Sequence, residues 1–130
     1  MMPLRILVAD DDEDLRDLLA FALRADGYEM VEVADGTELI ASVFDGQLQG
    51  RSASTLALII TDIRMPGRTG MEALASLRQA QVHTPVIVIT GFGDAATLAE
   101  ARRLGVAAVF DKPFDLDLLR AAVRDLLKRL

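Results

Sequence analysis

Five short apolar runs, several rich in β-branched residues, alternate along this chain with segments whose hydrophobic residues recur at helical spacing. The runs cover residues 4–9, 29–33, 56–61, 85–90 and 106–110. The third and fourth, LALIIT and PVIVIT, are apolar almost throughout, which suits strands covered on both faces and puts them at the centre of a sheet. Between and after the runs, Leu15, Leu18, Leu19, Ala22 and Leu23 form one helical stripe, and Leu116, Leu119, Val123, Leu126 and Leu130 form another. Weaker patterns predict helices over 37–44, 71–80 and 94–104, the last stopped by Gly105 at its C′ position. Asp115 is placed to cap the final helix, with Phe114 and Leu119 at the two positions of a hydrophobic staple. Five strand–helix units joined by right-handed crossovers give an α/β fold: a doubly wound, five-stranded parallel sheet with helices on both faces. Residues 45–55, DGQLQGRSAST, are polar and rich in Gly and Ser, and are expected to form a long surface loop before the third strand.

The length of 130 residues suits one domain, 1–130, and the 52% hydrophobic content is enough to build a core. A formal charge of −6 argues against direct binding to nucleic acid or to an anionic membrane, both of which require clustered Lys and Arg. With no cysteine there is neither a disulfide framework nor a thiolate metal site. The N-terminal apolar run is too short for a signal-peptide core, and no run approaches the roughly 18 apolar residues of a membrane span. The expectation is a cytoplasmic domain.

In open parallel sheets ligands bind at the carboxyl ends of the strands. Here the first strand ends in Asp10 and Asp11, the third in Thr61 and Asp62, the fourth in Thr90 and Gly91, and the fifth in Asp111, Lys112 and Pro113. Asp12, Glu13 and Asp14 suit the positive end of the first helix. Asp10, Asp11 and Asp62 differ in closing apolar strands. Two carboxylates about 4 Å apart repel by ~4 kcal/mol at an effective dielectric near 20, so a cation is expected among them. An oxygen-only donor set without His or Cys points to a hard ion such as Mg²⁺. Lys112 and Mg²⁺ together would balance the three acids, and Thr90 with Lys112 would form a phosphate clamp. Taken singly, Thr90 also reads as an ordinary strand residue and Lys112 as an exposed lysine before a helix. The single histidine, His83, falls near the start of the fourth strand, at the opposite edge.

Four segments, ILVADDD, LIITDIRMPGRTG, VIVITGFGD and VFDKPF, stand in order at strand ends, and together they resemble the receiver domains of two-component response regulators across essentially the whole chain. The resemblance implies the flavodoxin-like (CheY-like) strand order 2-1-3-4-5. It implies that Asp62 is the phosphoacceptor, taking its phosphoryl group from a phosphohistidine on a sensor histidine kinase or histidine phosphotransfer protein. Asp11, Asp62 and the backbone carbonyl of Arg64 would bind Mg²⁺ directly, and Asp10 through water. Thr90, Lys112 and the amides of Ile63 and Gly91 would grip the phosphoryl oxygens, and Lys112–Pro113 would be cis. The fourth helix, fifth strand and fifth helix would form the face that signals to an output domain or a second copy.

Two positions depart from the family pattern. Three residues before Lys112 the family often carries Tyr or Phe as a rotameric partner of the switch hydroxyl, whereas this chain has Val109; Phe110 or Phe92 is expected to substitute in part. The polar stretch 45–55 is also longer than usual. Two alternative functions share the same residues. A receiver-shaped interaction module independent of phosphorylation would use the fold without the chemistry. An Mg²⁺-dependent phosphatase of the haloacid-dehalogenase type would place its nucleophile in Asp-x-Asp-x-Thr/Val after the first strand, but here Leu15 and Arg16 follow the acids and the remaining signature loops are not evident.

Overall fold

The computed structural model describes residues 3–48, 56–65, 67, 69–91 and 95–128. Strands β1 (Arg5–Ala9), β2 (Glu29–Val33), β3 (Leu58–Asp62), β4 (Val86–Thr90) and β5 (Ala108–Asp111) alternate with helices α1 (Glu13–Ala25), α2 (Gly36–Leu48), α3 (Gly70–Gln79), α4 (Ala95–Arg103) and α5 (Leu116–Leu127). The strands form one sheet in the order β2-β1-β3-β4-β5. Every pairing in it is parallel.

Alternation along the strands divides the core between the two faces of the sheet. Leu7 and Ala9 of β1, Ile59 of β3 and Val86 and Val88 of β4 face Leu39 and Val43 of α2 and Ala73, Leu74 and Leu77 of α3. Ile6, Val8, Leu58, Ile60, Ile87 and Ile89 point the other way, onto Leu19 and Leu23 of α1 and Leu119, Val123 and Leu127 of α5. β3 and β4 are buried at every position, which is why their sequences read as unbroken apolar runs. Each such side chain contributes about 1.5–3 kcal/mol through burial, so a charge at Ile60 would break the sheet at its centre.

Helix ends follow local sequence closely. Asp12 caps α1 by accepting from the Leu15 amide, and Asp115 caps α5 by accepting from the amides of Asp117 and Leu118. Phe114 packs against the cluster that buries Leu119, as a staple requires. After α4, Gly105 adopts φ +78°. Its amide bonds the Arg102 carbonyl while the Val106 amide reaches back to Ala101, the paired bonds of a Schellman ending.

Most element boundaries lie within one or two residues of the sequence expectation, β3 for instance running over Leu58–Asp62 instead of 56–61, and two differences have a clear physical cause. The fifth apolar run includes Val106, but the Val106 amide is committed to closing α4, and β5 begins at Ala108. The predicted loop 45–55 is shorter at its start, because α2 continues through Leu48. Extending a helix already nucleated adds one hydrogen bond per residue fixed, and an internal Gly such as Gly46 costs only about 1 kcal/mol, so polar composition alone does not stop it. The rest of that loop, 49–55, lies outside the described residues.

Candidate functional site

The strand order reverses direction beside β1, so the chain leaves a crevice beyond the carboxyl ends of β1 and β3. Ala9 is in register with Thr61, which sets Asp10 beside Asp62 as the two strands end. Carboxylate oxygens of Asp10, Asp11 and Asp62 lie within 4.8 Å of one another. Asp10 and Asp62 are buried, at 1% and 7% exposure, while Asp11 is open to solvent.

Lys112 enters from the end of β5. Its Nζ donates to Asp62 Oδ2 at 2.9 Å and to Asp10 Oδ2 at 3.2 Å. Its backbone is fixed as well, since the Lys112 amide donates to the Thr90 carbonyl at 2.8 Å, and the Lys112–Pro113 bond is cis. Burial alone would lower the Lys112 pKa, but its bonds to Asp62 and the charges of both acids outweigh this and hold it above the ordinary lysine range. Asp10 shifts upward: burial is the largest cause and the neighbouring charge of Asp62 adds to it, against the opposing effects of the Asp12 amide and Lys112. A carboxyl group driven toward neutrality by burial and a like charge is a position where a cation binds favourably. Three oxygen donors within 4.8 Å, one of them solvent-accessible, fit a hard divalent ion that retains water.

Four more residues singled out in the sequence, Ile63, Arg64, Thr90 and Gly91, stand at or just beyond the carboxyl ends of β3 and β4. Thr90, at the end of β4, is buried, and Gly91 follows it at the surface. Among the described residues, a Cβ at Gly91 would meet nothing within 4 Å. The Arg64 amide donates to Asp62 Oδ1 at 3.2 Å. The Ile63 amide instead donates to the Ile89 carbonyl at 3.3 Å, continuing the β3–β4 pairing. His83 is exposed ahead of β4, at the other end of the sheet.

Phe110 does not stand in for an aromatic residue at position 109. Val109 packs with the α2–α3 face, whereas Phe110 points to the α1–α5 face and meets Phe114 edge-on at 6.4 Å. Adjacent strand residues necessarily face opposite ways. Phe92 lies outside the described residues.

Two contributors are not evident from sequence reading. Arg16 of α1 donates from Nη1 to the Asp10 carbonyl at 2.7 Å. Gly70, at the start of α3, packs so closely that a Cβ would collide with the Asp62 carbonyl oxygen. Nothing local in the sequence signals the Arg16 bond. The Gly70 position is hinted at by Thr69-Gly70-Met71-Glu72, which forms a capping box with both reciprocal bonds present.

Comparison with known proteins accords with this geometry. The family described as response regulator receiver domain matches residues 6–124. The chain is 40% identical over 126 residues to the transcriptional regulatory protein FixJ of Azorhizobium caulinodans, covering 97% of this chain and 56% of that protein. It is 30% identical over 127 residues to sporulation initiation phosphotransferase F of Bacillus subtilis, covering 98% of this chain and 96% of that one. The chain thus spans little more than half of FixJ and nearly all of the second relative. Its fold superimposes on a CheY-like receiver domain protein from Methanospirillum hungatei with a TM-score of 0.86 at 23% identity, covering 98% of this chain and 96% of that one. With the CheY-like strand order, acids gathered at the switch point and a family match over nearly its whole length, this chain belongs to the response regulator receiver domains of two-component signalling.

Proposed function

We propose that Asp62 is the phosphoacceptor of this receiver domain. The observation that most supports it is the Lys112 ammonium held between the two buried acids at the end of β1 and β3, 2.9 Å from Asp62. In the proposed transfer a carboxylate oxygen of Asp62 forms the new O–P bond while the P–N bond of a partner's phosphohistidine breaks. The electron pair stays on the imidazole nitrogen. Little covalent chemistry is asked of the protein, which acts mainly by position and charge.

Lys112 exchanges its bond to Asp62 for one to a phosphoryl oxygen, and the buried Thr90 hydroxyl and the Gly91 amide supply further donors. The open space at Gly91 leaves room for the group. The Arg64 amide already reaches the Asp62 carboxylate, whereas the Ile63 amide would have to leave Ile89 to take part. Asp10, Asp11 and Asp62 would hold Mg²⁺ together with the Arg64 carbonyl. Mg²⁺, when bound, supplies positive charge against the acids and the transferring phosphoryl group.

The donor would be a sensor histidine kinase or a histidine phosphotransfer protein in the cytoplasm. The domain's own catalysis would be limited to this transfer and to hydrolysis of its acyl phosphate. Phosphorylation would shift the populations of two arrangements of α4, β5 and α5, and this face would address an output domain or a second copy. Incubation with Mg²⁺ and acetyl phosphate followed by intact mass measurement tests the proposal. One added phosphoryl group, labile to hydroxylamine and absent from Asp62→Asn, is expected; equal labelling of that variant would overturn the assignment.

A further inference from the structure

The carbonyl of Asp10 is the first beyond the end of β1, where sheet pairing can no longer satisfy it. Asp10 is 1% exposed, so this oxygen needs a protein donor, and an unpaired buried carbonyl costs about 1–3 kcal/mol. Arg16 fills the role from the first turns of α1, through Nη1 at 2.7 Å. The guanidinium is itself held from β2: its Nε lies 3.8 Å from Glu32 Oε1, while Arg24 binds the other Glu32 oxygen at 3.1 Å. On the opposite side of the same residue, the Asp10 amide donates to the Val33 carbonyl at 3.2 Å. The backbone of Asp10 is therefore anchored at both its polar atoms, and its carboxylate is aimed toward Asp62 and Lys112.

We infer that Arg16 is a positioning residue for the acid pocket, fixing the β1–α1 turn so that Asp10 and Asp11 present their carboxylates at the spacing a divalent cation requires. The inference rests on the Mg²⁺ site proposed above. Among the described residues Arg16 reaches the acid pocket through the Asp10 carbonyl and bonds none of the Asp10, Asp11 or Asp62 carboxylates, so it acts through the main chain. Groups that orient metal ligands typically contribute about 10- to 100-fold to affinity, and an anchor on the ligand's backbone belongs at the lower end of that range.

Calorimetric titration of the purified chain with MgCl₂ separates the possibilities. The native chain is measured first, and absence of Mg²⁺ binding there overturns the metal site and this inference with it. Given native binding, Arg16→Ala is expected to raise the dissociation constant about tenfold. Arg16→Lys, which keeps a donor, should raise it by less, and acetyl phosphate labelling of either variant should approach the native rate at saturating Mg²⁺. Arg78→Ala provides the control for general loosening, because Arg78 likewise donates to main-chain carbonyls, those of Val82, Thr84 and Leu104, but at the far end of the sheet. Its affinity for Mg²⁺ should be native. A native dissociation constant in Arg16→Ala, or an equal rise in Arg78→Ala, would overturn the inference. Should Arg16→Ala fail to fold, Arg16→Lys decides: a severalfold rise supports the role, and a native value refutes it.

Discussion

Replacing Asp10 by Asn should stabilise the metal-free protein. Carboxylate oxygens of Asp10, Asp11 and Asp62 lie within 4.8 Å of one another. At that separation and an effective dielectric near 20, each like-charge pair costs ~3.5 kcal/mol, whereas the 3.2 Å contact of Asp10 with Lys112 returns ~5 kcal/mol. The Asp62 repulsion cancels most of the Lys112 attraction, and burial, the largest cause of the raised Asp10 pKa, costs several kcal/mol for a carboxylate and outweighs the remainder. The exposed Asp11 is screened by solvent and adds little. Asn retains the oxygen that accepts from the Asp12 amide at 2.9 Å. The net expectation is a gain of about 1–2 kcal/mol, which at a urea slope of 1–3 kcal/mol/M moves the unfolding midpoint up by about 1 M.

The pH dependence of this gain follows from the raised pKa of Asp10. A carboxyl whose pKa is higher in the folded state binds its proton more tightly there, so its contribution to stability is present below the unfolded value of 3.8 and is lost as pH rises through the folded value. The advantage of Asn should accordingly be complete at neutral pH and shrink on acidification toward the ordinary carboxylate range. Urea unfolding in EDTA at neutral pH provides the assay, repeated at saturating MgCl₂. There the native chain gains from binding that the variant has weakened, and the gap should narrow. A variant equal to or less stable than the native chain in EDTA would refute the account of Asp10 as a charge held at a net cost by burial and by Asp62.

Two further substitutions test the packing around the site and a helix end. Gly70→Ala should cost about 1–3 kcal/mol and slow Asp62 labelling, because its methyl group would displace the main chain of Asp62; thermal unfolding and mass-resolved labelling rates check this, with native values on both counts contradicting it. Gln81 holds φ +61° at the end of α3, where its amide and that of Val82 make the same pair of closing bonds that Gly105 and Val106 make after α4. Gln81→Gly should therefore stabilise the fold by up to about 1 kcal/mol, read as a higher unfolding midpoint, and a lower midpoint would show that Gln81 holds its conformation without strain.

Much of this protein is legible in local sequence. Unbroken apolar runs identify the buried central strands, helical stripes identify α1 and α5, and Asp115 and Gly105 mark helix ends, because period, capping and left-handed geometry depend on a few adjacent residues. The acids at the ends of the first and third runs are equally visible, since parallel strands all deliver their carboxyl ends to one edge. Polar composition misplaces the end of α2, because a nucleated helix outlasts its apolar stripe. The expectation for Val106 fails because a residue can pair in a sheet or close a helix with the same amide, and the chain's path decides between them.

Other features depend on the assembled sheet. Lys112 meets Asp10 across 102 residues and Asp62 across 50, contacts created by strand order and register. The same register sends Val109 and Phe110 to opposite faces, presses Gly70 against Asp62 and brings Arg16 to a carbonyl left unpaired where β1 ends. The sequence by itself determines which segments become strands and helices, as well as which charged groups stand at their ends. The tertiary structure decides which of those groups touch, because the distance between residues remote in the chain is set by how all the elements pack together.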